Sequence, residues 1–435
     1  MRLFEKSNIN VDRILDRFRY TKINKRNFRF SGKLGINNPK YDPHNNYKTY
    51  LKLQALFDFD NVLLFSSVDF DKTLKDDNLF HGDKNEWATV FIKNAYAVFR
   101  KKGIEVFGGR VSRNFGILNE YSSILSNYSY PFDHFGFSLT KSNLKFSFYT
   151  ARLNNIQEGV DLQSVVIEND FTIEGDTLLN VMDTKRYFAI QRLDFKLSGN
   201  VQAALSASTV YGGPNQSFEY EYLNPMNIFY ASQRNSRIQM NNLYQLNLLF
   251  KNNSGSAVYI DFLIDDIIVN NEEGYNGSKY KDNRFALIVK FSKTNLFFDK
   301  NLFSINYARV WNETYLSYRN FENYIFFNKS IGYPFNSYHS IKLSLTDFRF
   351  EDFFNSIAIS IYQKGSNEIS STEFFNESIQ DFPSGEVKEG IKFDIDIQYT
   401  GSNNVDLYYT FSLDMINDMD NLSTHKFKLV YNFQF

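Results

Sequence analysis

Residues 425–435 read HKFKLVYNFQF. Phe427, Leu429, Tyr431, Phe433 and Phe435 take every second position, and Lys426, Lys428, Asn432 and Gln434 fill most of the places between. A period of two puts alternate side chains on opposite faces of a strand, so one face here is apolar and the other mostly polar. The last strand of a soluble sandwich is usually followed by a frayed polar tail, whereas this pattern continues to residue 435.

The same period recurs along the chain. It is seen in Leu51, Leu53, Ala55, Phe57 and Phe59; in Leu144, Phe146 and Phe148; and in Leu246, Leu248 and Phe250. Later runs are Ile341, Leu343 and Leu345; Ile357, Ile359 and Ile361; Ile391 to Tyr399; and Val405 to Leu413. In 391–400, IKFDIDIQYT, the alternate face is Lys392, Asp394, Asp396, Gln398 and Thr400. Those groups are costly to bury, so they must meet bulk solvent or an aqueous lumen. Polar clusters at 71–83, 252–256, 270–282 and 366–388 read as turns and longer loops. Counting alternating segments gives roughly 16 to 20 strands, with no linker dividing them and no clean repeat of the length that marks a propeller or solenoid. Helical spacing appears once, in Val11, Ile14, Leu15 and Phe18 of 11–20.

Composition narrows the class. The chain has 435 residues, with 29 Tyr and 46 Phe, and its net charge of -1 gives no basic footprint for a phosphate backbone, so nucleic acid is excluded as a partner. Mean hydropathy is -0.40, and no window approaches the ~18 consecutive apolar residues of a membrane-spanning helix. Cysteine is absent, which removes a disulfide framework and thiolate metal sites. The five His are scattered without metal-ligand spacing, and no cofactor-binding fingerprint or nucleophile elbow occurs. The start, MRLFEKSNIN, lacks the apolar stretch of a signal peptide.

Alternating segments separated by short and long polar connections are the signature of a transmembrane β-barrel. The expected fold is therefore all-β, an antiparallel transmembrane barrel of roughly 16 to 20 strands. Residues 1–27 would form a periplasmic segment with a short helix, and 28–435 the barrel. Closure would give the last strand a partner on each side and leave no unpaired edge. Many bacterial outer-membrane barrels end on an aromatic residue that the insertion machinery recognises, so Phe427, Leu429, Tyr431, Phe433 and Phe435 are the expected insertion signal. The implied location is the bacterial outer membrane, with its lipid and the insertion machinery as partners.

Two blocks carry a more specific resemblance. The first runs from Gly109-Arg110 through Gly116 to Pro131-Phe132-Asp133, and the second contains Tyr222-Leu223-Asn224-Pro225, Phe229-Tyr230, Asn241-Asn242 and Ile264-Asp265-Asp266. Together they resemble the capsule-assembly outer-membrane lectins of the Wzi type. The resemblance sets the expected strand number at about 18 and implies a barrel with an obstructed lumen that helps hold capsular polysaccharide at the cell surface without catalysis. It also implies an N-terminal helical plug, but only 11–20 reads as helical here, which leaves occlusion to inward loops.

Arg110, Arg113, Arg192, Arg234 and Arg237 lie in or beside these blocks. Their guanidinium groups could bind the carboxylates of acidic sugars; the alternative is pairing with Asp and Glu of the barrel itself. Tyr220, Tyr222, Phe229 and Tyr230 could stack on pyranose rings or belong to an interfacial aromatic girdle. The candidate glycan contacts are Arg110, Arg113, Tyr220, Tyr222, Asn224 and Arg234. Asp265 and Asp266 are adjacent, so on a strand they face opposite ways and cannot act as an acid–base pair. Two other readings stand beside polysaccharide attachment. One is a passive or ion-selective porin lined by the same charges, and the other is a structural barrel whose loops at 270–282 and 366–388 dock other envelope proteins.

Overall fold

The computed structural model describes residues 28–38, 48–77, 80, 82–84, 89–118, 120–160, 180–214, 216–235, 238–267, 283–317, 319–350, 352–366, 369, 381–401, 404–417 and 422–434. The first strands are β1 (Phe28–Asn38), β2 (Lys48–Phe59), β3 (Val62–Asp71), β4 (Val90–Lys101), β5 (Ile104–Arg110), β6 (Asp133–Lys141) and β7 (Leu144–Arg152). Next come β8 (Ile156–Val160), β9 (Asn180–Lys196), β10 (Val201–Pro214), β11 (Gln239–Lys251), β12 (Ser256–Asp266), β13 (Arg284–Thr294) and β14 (Asn301–Val310). A small hairpin of β15 (Ile325–Phe326) and β16 (Lys329–Ser330) stands apart from the main sheet. The series ends with β17 (Tyr338–Asp347), β18 (Phe353–Lys364), β19 (Lys388–Thr400), β20 (Val405–Ile416) and β21 (Leu422–Gln434).

All pairings in the main sheet are antiparallel and, apart from β7 and β8, join strands that follow one another along the wall. β7 and β8 both pair with the long β9, one beyond the other, and so share one position in the wall. The result is a closed barrel of 18 strand positions. The seam is β1 against β21, with Leu34 opposite Tyr431 and Ile36 opposite Leu429. Phe427, Leu429, Tyr431 and Phe433 therefore turn outward, where Leu34 and Tyr431 are 52% and 50% exposed. On the inner side of the seam the Lys428 ammonium lies 4.1 Å from the Tyr50 ring centroid. Phe435 and the helix expected at 11–20 lie outside the described residues.

The charged face of β19 also turns inward. Asp394 accepts a 2.6 Å hydrogen bond from Ser412, Asp396 accepts one of 2.7 Å from Thr410, and Lys392 lies 3.3 Å from Asp394.

Connections segregate by length. Those at 60–61, 102–103, 142–143, 197–200, 252–255, 295–300, 348–352 and 401–404 are tight and lie at one end, together with the start of β1 and the end of β21. The described parts of the longer segments 72–89, 111–132, 216–235 and 311–337 lie at the other. Two of these, 111–132 and 311–337, fold into the barrel. Its hydrophobic core is consequently inside the lumen, where Ile124, Leu125, Tyr315, Tyr324, Ile325 and Ile331 pack on Phe188, Ile190, Val210, Leu243, Leu263 and Ile288 of the wall. Another segment, 216–235, carries the only α-helix found among the described residues, α1 (Phe229–Asn235), and packs on the outside of the wall. The period-two reading of the sequence did not anticipate that helix.

Candidate functional site

The inward loops are fixed to the wall and to each other by buried polar groups. Asp261, midway along β12 and fully buried, accepts a 3.1 Å bond from the Ser123 amide, a bond from the Ser123 hydroxyl and one of 2.7 Å from Gln245 of β11. Burying a carboxylate without such partners would cost several kcal/mol, so this node ties the tip of 111–132 to β11 and β12. Beside it, Arg192 of β9 donates 2.7 Å to Asn247 and 2.8 Å to Asp194. Its guanidinium lies 4.8 Å from the Phe115 ring centroid.

The second loop hangs on Arg186, which is 0% exposed. Arg186 donates to the carbonyls of Phe321 (2.6 Å), Asn323 and Ile325 (3.2 Å). Asp265 of β12 accepts from the Tyr315 amide at 2.7 Å, so it is a loop anchor. The loops then join one another. The Tyr315 hydroxyl donates to the Ser123 carbonyl (2.6 Å), Tyr324 Oη lies 2.8 Å from both the Ile124 carbonyl and Ser208 Oγ, and the Ser126 amide donates to Ile331 (2.8 Å). Burial pushes both phenols far above the ordinary tyrosine range, so they remain neutral donors. Gly332 permits the close approach, since a Cβ there would sit 2.4 Å from the Ser123 carbonyl oxygen.

The six residues expected to contact glycan do not converge. Arg110 ends β5 and pairs with Asp133 at the start of β6. Arg113 is inside the barrel, its Nε 2.6 Å from His134 Nε2 and its guanidinium 4.3 and 3.9 Å from the Phe107 and Tyr149 rings. Burial lowers its pKa from the ordinary guanidinium value. The other four lie on the outer segment 216–235. Tyr222 is fully buried and stacks on Tyr211 at 4.2 Å, while Tyr220 is 84% exposed. Asn224 accepts 3.1 Å from the Met226 amide, and Arg234 lies over the Tyr230 ring at 5.2 Å. Arg237 lies outside the described residues.

Asp261, Arg186 and Gln245 were not singled out from sequence, although a usable signal exists. The inward face of β12 reads Ala257, Tyr259, Asp261, Leu263, so both faces of this strand are largely apolar. In a barrel whose outer face is apolar, an apolar inner face means that protein rather than water lies against it.

No protein-family model and no curated protein matches the chain. Solved structures do. Wzi, an outer-membrane protein involved in group 1 capsule assembly in Escherichia coli and described as a carbohydrate-binding β-barrel, superposes with a TM-score of 0.61 at 12% identity, over 98% of this chain and 87% of that one. OccK1 (OpdK) of Pseudomonas aeruginosa gives 0.54 at 9% identity over 94% and 98% of the two chains. OccK3 (OpdO) of the same organism gives 0.51 at 13% over 94% and 96%.

The protein is a bacterial outer-membrane β-barrel. At these identities the likeness establishes architecture, and it is shared by a carbohydrate-binding barrel and by the OccK barrels. Outer-membrane barrels carry short periplasmic turns and long external loops. The segments 111–132 and 311–337 therefore enter the lumen from the cell-surface side.

Proposed function

We propose that this barrel attaches surface polysaccharide at its external end without catalysing a reaction. The observation that supports this reading best is the pair of interlocked loops. Anchored through Asp261 and Arg186, they fill the lumen beside β7 to β14 with buried aromatic and aliphatic side chains. Such a core serves a holding role better than a permeation role. The similarity in fold to Wzi, a carbohydrate-binding barrel by description, points the same way.

Of the proposed glycan contacts, Tyr220 and Arg234 present exposed groups on the outer segment, a ring face and a guanidinium that suit a pyranose and a uronate carboxylate. Asn224 and Arg110 would add polar contacts. Tyr222 and Arg113 would act by holding their neighbours in place.

The test is retention of a fluorescent acidic capsular polysaccharide by proteoliposomes containing the full chain, with neutral dextran as control. Retention of the acidic polymer is expected, with a loss of several-fold for the double variant Tyr220→Ala/Arg234→Ala. Equal retention by protein-free liposomes would contradict the reading.

A second reading rests on the opposite wall. The inward faces of β19, β2 and β3 carry Lys392, Asp394, Asp396, Lys52 and Asp69, with Lys52 and Asp69 3.8 Å apart. That charged crescent suits an ion-selective path.

A further inference from the structure

The outer wall beneath segment 216–235 is organised in rows across β9, β10 and β11. From the external end downward, Tyr187, Tyr211 and Met240 are paired, then Ala189, Thr209 and Asn242, then Gln191, Ala207 and Tyr244, then Leu193, Leu205 and Leu246. The upper rows are covered by the segment: Tyr222 stacks on Tyr211, and Asn242 donates to the Phe229 carbonyl at 3.4 Å and to Gln233 at 3.0 Å. Its lower edge reaches the third row, where Gln191 donates 2.8 Å to the Asn227 carbonyl. The next row is bare, with Leu205 53% and Leu246 36% exposed.

The height of bare wall decides what the lower edge touches. On β20, outward apolar residues extend from Val405 to Met415, which is about 33 Å along the strand and about 25 Å after tilt, the full apolar band of an outer-membrane barrel. On β10 the bare stretch runs only from Leu205 down to Val201, about 13 Å along the strand and about 10 Å after tilt. A band of uniform height around the barrel therefore includes the lower edge of the segment. That edge has the composition such a position needs. Residues 222–233, YLNPMNIFYASQ, contain no charge, and Met226, Ile228 and Tyr230 are 79%, 68% and 52% exposed.

We propose that segment 216–235 is a membrane shoulder, its lower edge embedded in the outer leaflet with Met226 and Ile228 among acyl chains. The segment replaces part of the lipid-facing wall, so lipid meets a helix and turns where the wall beneath carries Ala189, Thr209, Asn242, Gln191 and Ala207. The inference goes beyond polysaccharide attachment and does not depend on it.

The cysteine-free chain permits single spin labels in the full-length protein refolded into liposomes without glycan. Met226→Cys and Ile228→Cys are compared with Leu205→Cys as the lipid reference and Asn253→Cys, in a short turn, as the aqueous one. Heat-modifiable gel mobility confirms that each variant is folded. The expected result is a rise in the ratio of oxygen to nickel-chelate collisions at 226 and 228 to the level at 205. Collision ratios matching position 253 would overturn the proposal. So would labels shielded from both reagents with spin–spin broadening, which would place a second copy on this face.

Discussion

Arg186 is buried and donates to three backbone carbonyls of one loop. A planar guanidinium offers several donors in a fixed fork, which lets one side chain hold a turn of backbone that no strand could reach. Hydrogen bonds to a charged group contribute about 1.5–3 kcal/mol each, and unmet carbonyls add a desolvation cost when the donor is removed. Arg186→Met should therefore destabilise the inner loop by roughly 3 kcal/mol or more. Limited proteolysis in detergent should then cut within 311–337 while the barrel keeps its heat-modifiable mobility; a protease pattern like that of the parent would contradict the anchoring role. Asp261 is the companion residue, and it illustrates what sequence hides. Its immediate neighbours Ile260 and Phe262 advertise a lipid-facing strand, while Ser123 and Gln245, which make it tolerable, are distant in sequence and unremarkable in type.

At the scale of elements, alternation was legible wherever a strand separates lipid from water. β19, β20 and β21 read correctly because lipid and an aqueous or polar lumen impose opposite demands on their two faces. On β9 and β12 that contrast is reduced, since the inner loops cover the inward faces of both and the outer segment also covers part of β9. The helix at Phe229–Asn235 was missed for a related reason: it is short, lies in a segment rich in turn residues, and owes its place to Tyr211, Asn242 and Met240 of the wall. The candidate glycan residues were picked from one linear block, but the block splits between buried packing (Tyr222) and surface (Tyr220) once it folds against the wall.

The seam between β1 and β21 offers a prediction at this scale. The Phe433 ring fills the place of a side chain at Gly32, where a Cβ would lie 2.1 Å from it. Gly32→Val should displace that ring and slow closure, read as slower appearance of the heat-modifiable band during refolding into detergent. Unchanged kinetics would show that the ring–glycine contact forms after closure.

The whole molecule joins two solvents across one wall and then fills part of its lumen with a hydrophobic core. The architecture is shared with a carbohydrate-binding barrel and with the OccK barrels, while the loops within this lumen are held by their own contacts. Composition and period were sufficient for the barrel and its membrane, and bounded the strand number only to roughly 16 to 20. They were insufficient for the lumen, because a loop that turns inward and a loop that spreads outward can have the same polar, aromatic-rich composition.

Loops 111–132 and 311–337 fill the lumen beside β7 to β14, and single-channel conductance in a planar bilayer, once insertion has been confirmed, tests most directly whether they also close the barrel to ions. Inserted parent protein should be electrically silent. Stable, reproducible open steps from the parent would contradict closure and move the charged crescent of β19, β2 and β3 from background to pore.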